Sequence, residues 1–166
     1  ATALLLQSGC GRVGAPASAP TAAGSAAAAT TQGNTLRLMV DGIEWVAERD
    51  IFCAVHPSGY DRAIVIAGAR GKKDASEQSF NLNLYGVDGP GSLRLDSADA
   101  GGSTIQLANL DASRYLNGGA LGFDARIELL QMGKDPAVVE ARFEGTLLSS
   151  SGARLRITDG YVRCHE

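Results

Sequence analysis

From residue 36 onward the chain is a succession of short runs in which apolar and polar residues alternate, separated by turn residues. In Val138–Leu148, residues Val139, Ala141, Phe143, Gly145 and Leu147 fall on one side, with Glu140, Arg142 and Glu144 opposite. A period of two belongs to an extended strand with one buried and one wet face; a helix repeats its apolar positions every three or four residues. The same alternation runs through Ser79–Tyr85, where Phe80, Leu82 and Leu84 share a side, and through Ser92–Asp96. It returns in Leu121–Gln131, with Phe123, Ala125, Ile127 and Leu129 together. Ala63–Ala67 is continuously apolar, as in a central strand. The 21 glycines and 5% aromatic content agree with many turns between short strands. The pattern predicts an all-β, antiparallel meander of about ten strands, closed as a sandwich or a barrel.

Particular turns sharpen this expectation. Asp41-Gly42 separates Leu36–Val40 from Ile43–Ala47, and a hairpin turn of this kind needs positive φ at both central positions. The domain therefore opens with a hairpin, with Trp45, the only tryptophan, directed inward. Ile51–Val55, which holds Cys53, is expected to form a third strand or an irregular crossover. Thr104–Leu107 is expected to pair back on Ser92–Asp96, and a short strand is expected around Tyr115. Leu155 and Ile157 point inward in the last run, Ala153–Cys164, where Gly160 marks a bulge or a close backbone approach.

The beginning of the chain carries a different signal. Leu4-Leu5-Leu6-Gln7-Ser8-Gly9-Cys10-Gly11 is an apolar run ending in small residues and a cysteine. It resembles a bacterial lipobox, in which Cys10 is acylated and becomes the mature N-terminus. Residues 1–9 then read as the end of a signal peptide whose basic start lies upstream. They are too few to span a bilayer, which takes about 20 apolar residues. Gly11–Thr35 is Ala, Gly, Ser, Thr and Pro with one charge, Arg12, and has no apolar period. It reads as a flexible tether reaching roughly 25–30 Å. The expected organisation is a signal remnant at 1–9, a lipidated cysteine and tether at 10–34, and a β-domain at 35–166. Gly11, where an Asp would favour inner-membrane retention, points to the outer membrane, with the domain facing the periplasm or the cell surface. Stable anchoring requires more than one acyl chain, as a lipoprotein cysteine carries.

With Cys10 set aside, Cys53 and Cys164 remain as an even pair. In an oxidising compartment they are candidates for one disulfide. A net charge of −3 and the lack of a basic stripe argue against a nucleic-acid partner. Lys72-Lys73 with Arg70 forms only a loop cluster.

Several stretches together resemble a family of small uncharacterised bacterial lipoproteins. Val40-Asp41-Gly42-Ile43-Glu44-Trp45 is similar to their V-D-G-x-x-W opening. Phe143-Glu144-Gly145-Thr146-Leu147, followed by Leu155–Val162, is similar to their closing F-x-G-T-[FL] and [VI]-T-[DN]-G-x-F strands. Ile64–Gly68, Phe80–Tyr85 and Gly89-Pro90-Gly91 sit where such proteins have a strand, an alternating strand and a turn. The resemblance covers about residues 38–163. It implies a β-rich lipoprotein outside the cytoplasm and implies no activity. The G-x-x-W spacing differs from the G-x-W of lipocalins.

Motifs of catalysis are sparse. His56 and His165 are the only imidazoles, and no G-x-S-x-G elbow is present. Ser58 and Asp61 flank His56, which would be the base of a hydrolase, but adjacency in sequence is not triad geometry. His56 with Asp61, or His165 with Glu166, supplies two metal ligands without a third. Asp88, Asp96 and Asp99 lie in glycine-rich turns without the spacing of a calcium loop. No catalytic residue, metal or cofactor is expected. Asn81, Asn83 and Tyr85 form the polar side of their strand and are the candidate recognition face. The expected function is a membrane-tethered binding module, not an enzyme, that contacts an envelope protein, a glycan or a small ligand. The alternatives are a periplasmic inhibitor of a lysozyme-like enzyme and a hydrolase using His56.

Overall fold

A computed structural model describes residues 33–56, 63–96, 101–111, 114–118, 124–149 and 152–166. The signal remnant, Cys10 and all but the last residues of the tether lie outside the described residues, as do Ser58, Asp61, Asp99 and Phe123. The described chain is all β. Its eleven strands are β1 Thr35–Val40, β2 Ile43–Val46, β3 Arg49–Val55, β4 Ile64–Arg70, β5 Gln78–Leu84 and β6 Gly91–Leu95, then β7 Thr104–Asp111, β8 Arg114–Gly118, β9 Ala125–Lys134, β10 Ala137–Ser149 and β11 Arg154–His165.

Every pairing is antiparallel. One layer runs β6-β9-β10-β11-β1-β2 and the other β3-β4-β5-β7-β8. They meet at a corner, where Leu148 and Ser149 at the end of β10 pair with Asn117 and Leu116 of β8. The result is a sandwich. Its core joins the layers through aromatic rings: Phe80 of β5 stacks on Phe143 of β10 at 5.2 Å, and Trp45 of β2 lies 6.2 Å from Phe80. Around them Leu36, Ile64, Ile66, Leu82, Leu84, Ile127 and Val162 are fully buried.

The opening hairpin is as expected. Asp41 and Gly42 have φ of 48° and 80°, and Trp45 is buried. Its turn docks on β11: Asp41 N donates to the Arg156 carbonyl at 2.9 Å, and Arg156 N donates to Asp41 Oδ1 at 2.8 Å. The pairing of Thr104–Leu107 is a correction. This segment, in β7, pairs with β5 and β8, while β6 pairs with β9 in the other layer. Alternation specifies which side of a strand is buried, and Ile105 and Leu107 satisfy it in either layer.

Three strands change phase where the register shifts, and each carries an Asp or Asn of positive φ there: Asp50 in β3, Asn109 in β7 and Asp159 in β11. Short polar side chains tolerate this conformation best among non-glycine residues. In β11 the bulge has a large consequence. Leu155 and Ile157 face inward before it, and Gly160, Val162 and Cys164 after it, so both halves of a twelve-residue strand bury their apolar side. Gly160 lies directly against Phe143, its partner in β10. A Cβ there would overlap both the ring and the carbonyl oxygen of Phe143. Gly160→Ala is therefore expected to destabilise the domain by about 3 kcal/mol, the upper range for overpacking a core, measured by urea unfolding.

The same phase change aims Cys164 across the sandwich at Cys53 of β3. The two form a disulfide, with Cα atoms 5.9 Å apart. Beside it, Asn34 ties the same strands by its side chain: Nδ2 donates to the carbonyls of Ile51 (3.1 Å) and His165 (3.2 Å), and Oδ1 accepts from His165 N at 2.8 Å. Asn34, expected to end the tether, is thus bonded into the domain. The disulfide closes a loop with a sequence separation of 111. Its reduction should lower stability by about 2–5 kcal/mol. Amide exchange should quicken first at residues 160–165, with the β-sandwich retained.

Candidate binding face

The two outward faces of the sandwich differ in chemistry. On the β6-β9-β10-β11-β1 layer, charges meet charges across the strands. Arg126 pairs in register with Glu144, and Arg142 with Glu128, whose Oε2 stands 3.9 Å from Arg142 Nη1. Arg94 Nη2 donates to Asp124 Oδ1 at 2.9 Å. Arg37 lies over the Tyr161 ring at 5.8 Å, and Tyr161 Oη donates to Glu140 Oε1 at 2.9 Å. Burial and that hydrogen bond push the Tyr161 phenol above its ordinary range. Exposed pairs of this kind contribute little each. Together they describe a solvated, well-hydrated face, as the Glu140, Arg142 and Glu144 pattern predicts.

The outer face of the β3-β4-β5-β7 layer has no such charges. Its register is explicit. One row crosses the strands as Phe52, Ala67, Asn81 and Gln106, and the next as Ala54, Val65, Asn83 and Thr104. None of these eight side chains is ionisable. Among the described residues, ionisable groups stand at its ends: Arg49 Nη2 donates to Glu77 Oε2 at 2.6 Å at one, and His56 follows Phe52 and Ala54 along β3 at the other. Asn83 Nδ2 donates to Thr104 Oγ1 at a long 3.4 Å, and the amides of Asn81 and Gln106 make no other side-chain bond among the described residues. Small residues keep the rows between them low. Two aromatic rings stand at the margins, Phe52 at 44% exposure and Tyr85 at 43%.

Of the residues singled out by sequence, Asn81 and Asn83 share this face and Tyr85 continues their strand at its end. What sequence reasoning missed is their company: Phe52 and Ala54 from β3, Val65 and Ala67 from β4, Thr104 and Gln106 from β7. The available signal was the lack of charge along 51–55, 64–69 and 104–110 in three separate strands, which acquires meaning only once they are neighbours. His56 follows Ala54 beyond the end of β3, half-buried, with its backbone N donating to the Ala63 carbonyl at 3.0 Å. The neighbours that would make it a hydrolase, Ser58 and Asp61, lie outside the described residues. His165 Nε2 accepts from Arg163 Nε at 3.3 Å. Among the described residues, no three His, Cys, Asp or Glu side chains cluster as metal ligands. No helix among the described residues is long and apolar enough to cross a membrane, which says nothing of strands.

Compared with protein-family models, with curated proteins and with solved structures, the chain matches none.

Proposed function

We propose that this domain is a binding module of the bacterial envelope, held to the membrane by a lipid on Cys10, and that the uncharged face of β3-β4-β5-β7 binds a neutral glycan. The observation that carries the reading is the exclusion of charge from that face, beside a second face dense in arginine and glutamate. A hydroxyl-rich neutral ligand offers donors and acceptors of modest strength. Amide side chains answer both, since each carries a carbonyl oxygen and an NH2 group. No ionic group on this surface has to be desolvated for contact. Ala54, Ala67 and Val65 leave room for a flat ring to approach the sheet, and Phe52 and Tyr85 give apolar ring surface with low conformational entropy at its borders.

The lipobox reading of Cys10 and the tether after it support the location. On this reading the wild-type protein incorporates a fatty-acid probe and enters a detergent phase, and Cys10→Ala does neither; a labelled Cys10→Ala protein would contradict it.

The face is tested by calorimetric titration of the chain with soluble neutral fragments of envelope polysaccharide. A net hydrogen bond contributes about 1 kcal/mol, so Asn81→Ala with Asn83→Ala should weaken binding by roughly tenfold or more. Arg142→Ala, on the opposite face, should leave it unchanged. Equal affinity in the double variant, or a ligand lost only with Arg142, would overturn the assignment.

A further inference from the structure

The inward side of β2 carries Trp45 and, two residues before it, Ile43. Trp45 is 1% exposed, whereas Ile43 is 74% exposed. The difference has a local cause: Ile43 overhangs a gap of about 440 Å3 at the end of the sandwich, between the β1–β2 hairpin and the start of the β4–β5 loop. Val40, Ile43, Trp45 and Leu110 line it with apolar surface, and Arg70, at the end of β4, brings a guanidinium to it. Glu44, between Ile43 and Trp45, alternates to the outer side of β2 and meets Arg70 through its carbonyl.

This gap is not slack in a loose core. Two residues before Arg70, Gly68 lies so close to β1 that a Cβ would be 2.6 Å from Leu36 Cδ2. The walls are braced as well: Trp45 Nε1 donates to Gln78 Oε1 at 2.8 Å, and Gln78 Nε2 donates to the Leu110 carbonyl at 3.1 Å. The recess is preformed and mixes apolar side chains with polar ones, Glu44, Arg70, Ser76 and Gln78, as a concave site that orients a small molecule does. Arg70 is only partly engaged. Its Nη1 donates to the Glu44 carbonyl at 3.1 Å, its Nε stands 3.8 Å from Glu48 Oε1, and its Nη2 has no partner among the described residues.

We propose that this recess binds a small apolar carboxylate. The hydrocarbon body lies against the overhanging Ile43 and the half-buried Leu110, above the edge of the buried Trp45, and the carboxylate accepts a charge-assisted hydrogen bond from Arg70 Nη2. The site is separate from the neutral face and stands or falls independently of it.

Trp45 is the sole tryptophan and lines the recess, so its emission in the full chain responds to a ligand there. Titration with hexanoate, below the concentration at which it forms micelles, should give a saturable change in emission. Hexanamide, of the same shape without the charge, should bind roughly tenfold more weakly. Arg70→Gln should remove the preference for the acid while leaving the melting temperature near wild type, and Ile43→Ser should weaken both ligands. No saturable change with hexanoate, or equal affinity for acid and amide in the wild-type chain, would overturn the proposal. That wild-type comparison decides the matter even if Arg70→Gln does not fold.

Discussion

The fold turns on the contact between Gly160 and Phe143. β11 is the strand that joins the hairpin β1-β2 to the rest of its layer, and unlike the thirteen-residue β10 beside it, it changes phase part-way along. Its bulge at Asp159 resets the alternation, and a residue without a side chain at 160 lets the strand close over the Phe143 ring. Three things follow from that one step. Phe143 is pressed toward Phe80, which links the layers. Val162 is turned inward with Leu155 and Ile157. Cys164 is aimed at Cys53, so that the last strand is bound covalently to the third. Overpacked cores yield by shifting backbone, and here the backbone that would shift carries all three.

That closure leaves two broad outward faces, and the chain has treated them differently. The charged face presents exposed, paired arginines and carboxylates, each pair contributing little to stability. The neutral face presents amides, a hydroxyl and small apolar residues flanked by exposed rings. A soluble sheet needs no such exclusion of charge for folding, since outward side chains contribute little to the core. The proposed glycan reading rests on this asymmetry, since a neutral, hydroxyl-bearing ligand is the chemistry that amides and small apolar residues match.

Much of the fold was legible in the sequence because period-two alternation is a direct record of burial. The strands through Phe80–Leu84, Ala125–Leu129 and Val139–Leu147 have the buried residues that the pattern assigns. Asp41-Gly42 was legible because a turn chemistry has few solutions, and Gly160 because a glycine within a strand pattern has few reasons to be there. Partner choice was not legible. Nothing in Thr104–Leu107 distinguishes β5 from β6 as a neighbour, since both offer an apolar inner side. The bulges at Asp50 and Asn109 were hidden because a single Asp or Asn inside an alternating run looks like an outward polar residue. For the site the same limit applies: Asn81, Asn83 and Tyr85 stand in one strand and were visible, whereas Gln106 and Phe52 join them only through register. Asn34 was hidden in a run of tether-like composition, although its amide carries three bonds between β3 and β11.

The central claim is that the neutral face, and not the charged one, meets the ligand. The most direct measurement is the map of backbone amide chemical-shift changes when the isotope-labelled chain is mixed with a soluble neutral envelope glycan. Shifts are expected to concentrate at Phe52, Ala67, Asn81, Asn83, Thr104 and Gln106, with Arg126, Arg142 and Tyr161 unmoved. Shifts confined to β9, β10 and β11, or none on any face at saturating glycan, would contradict it.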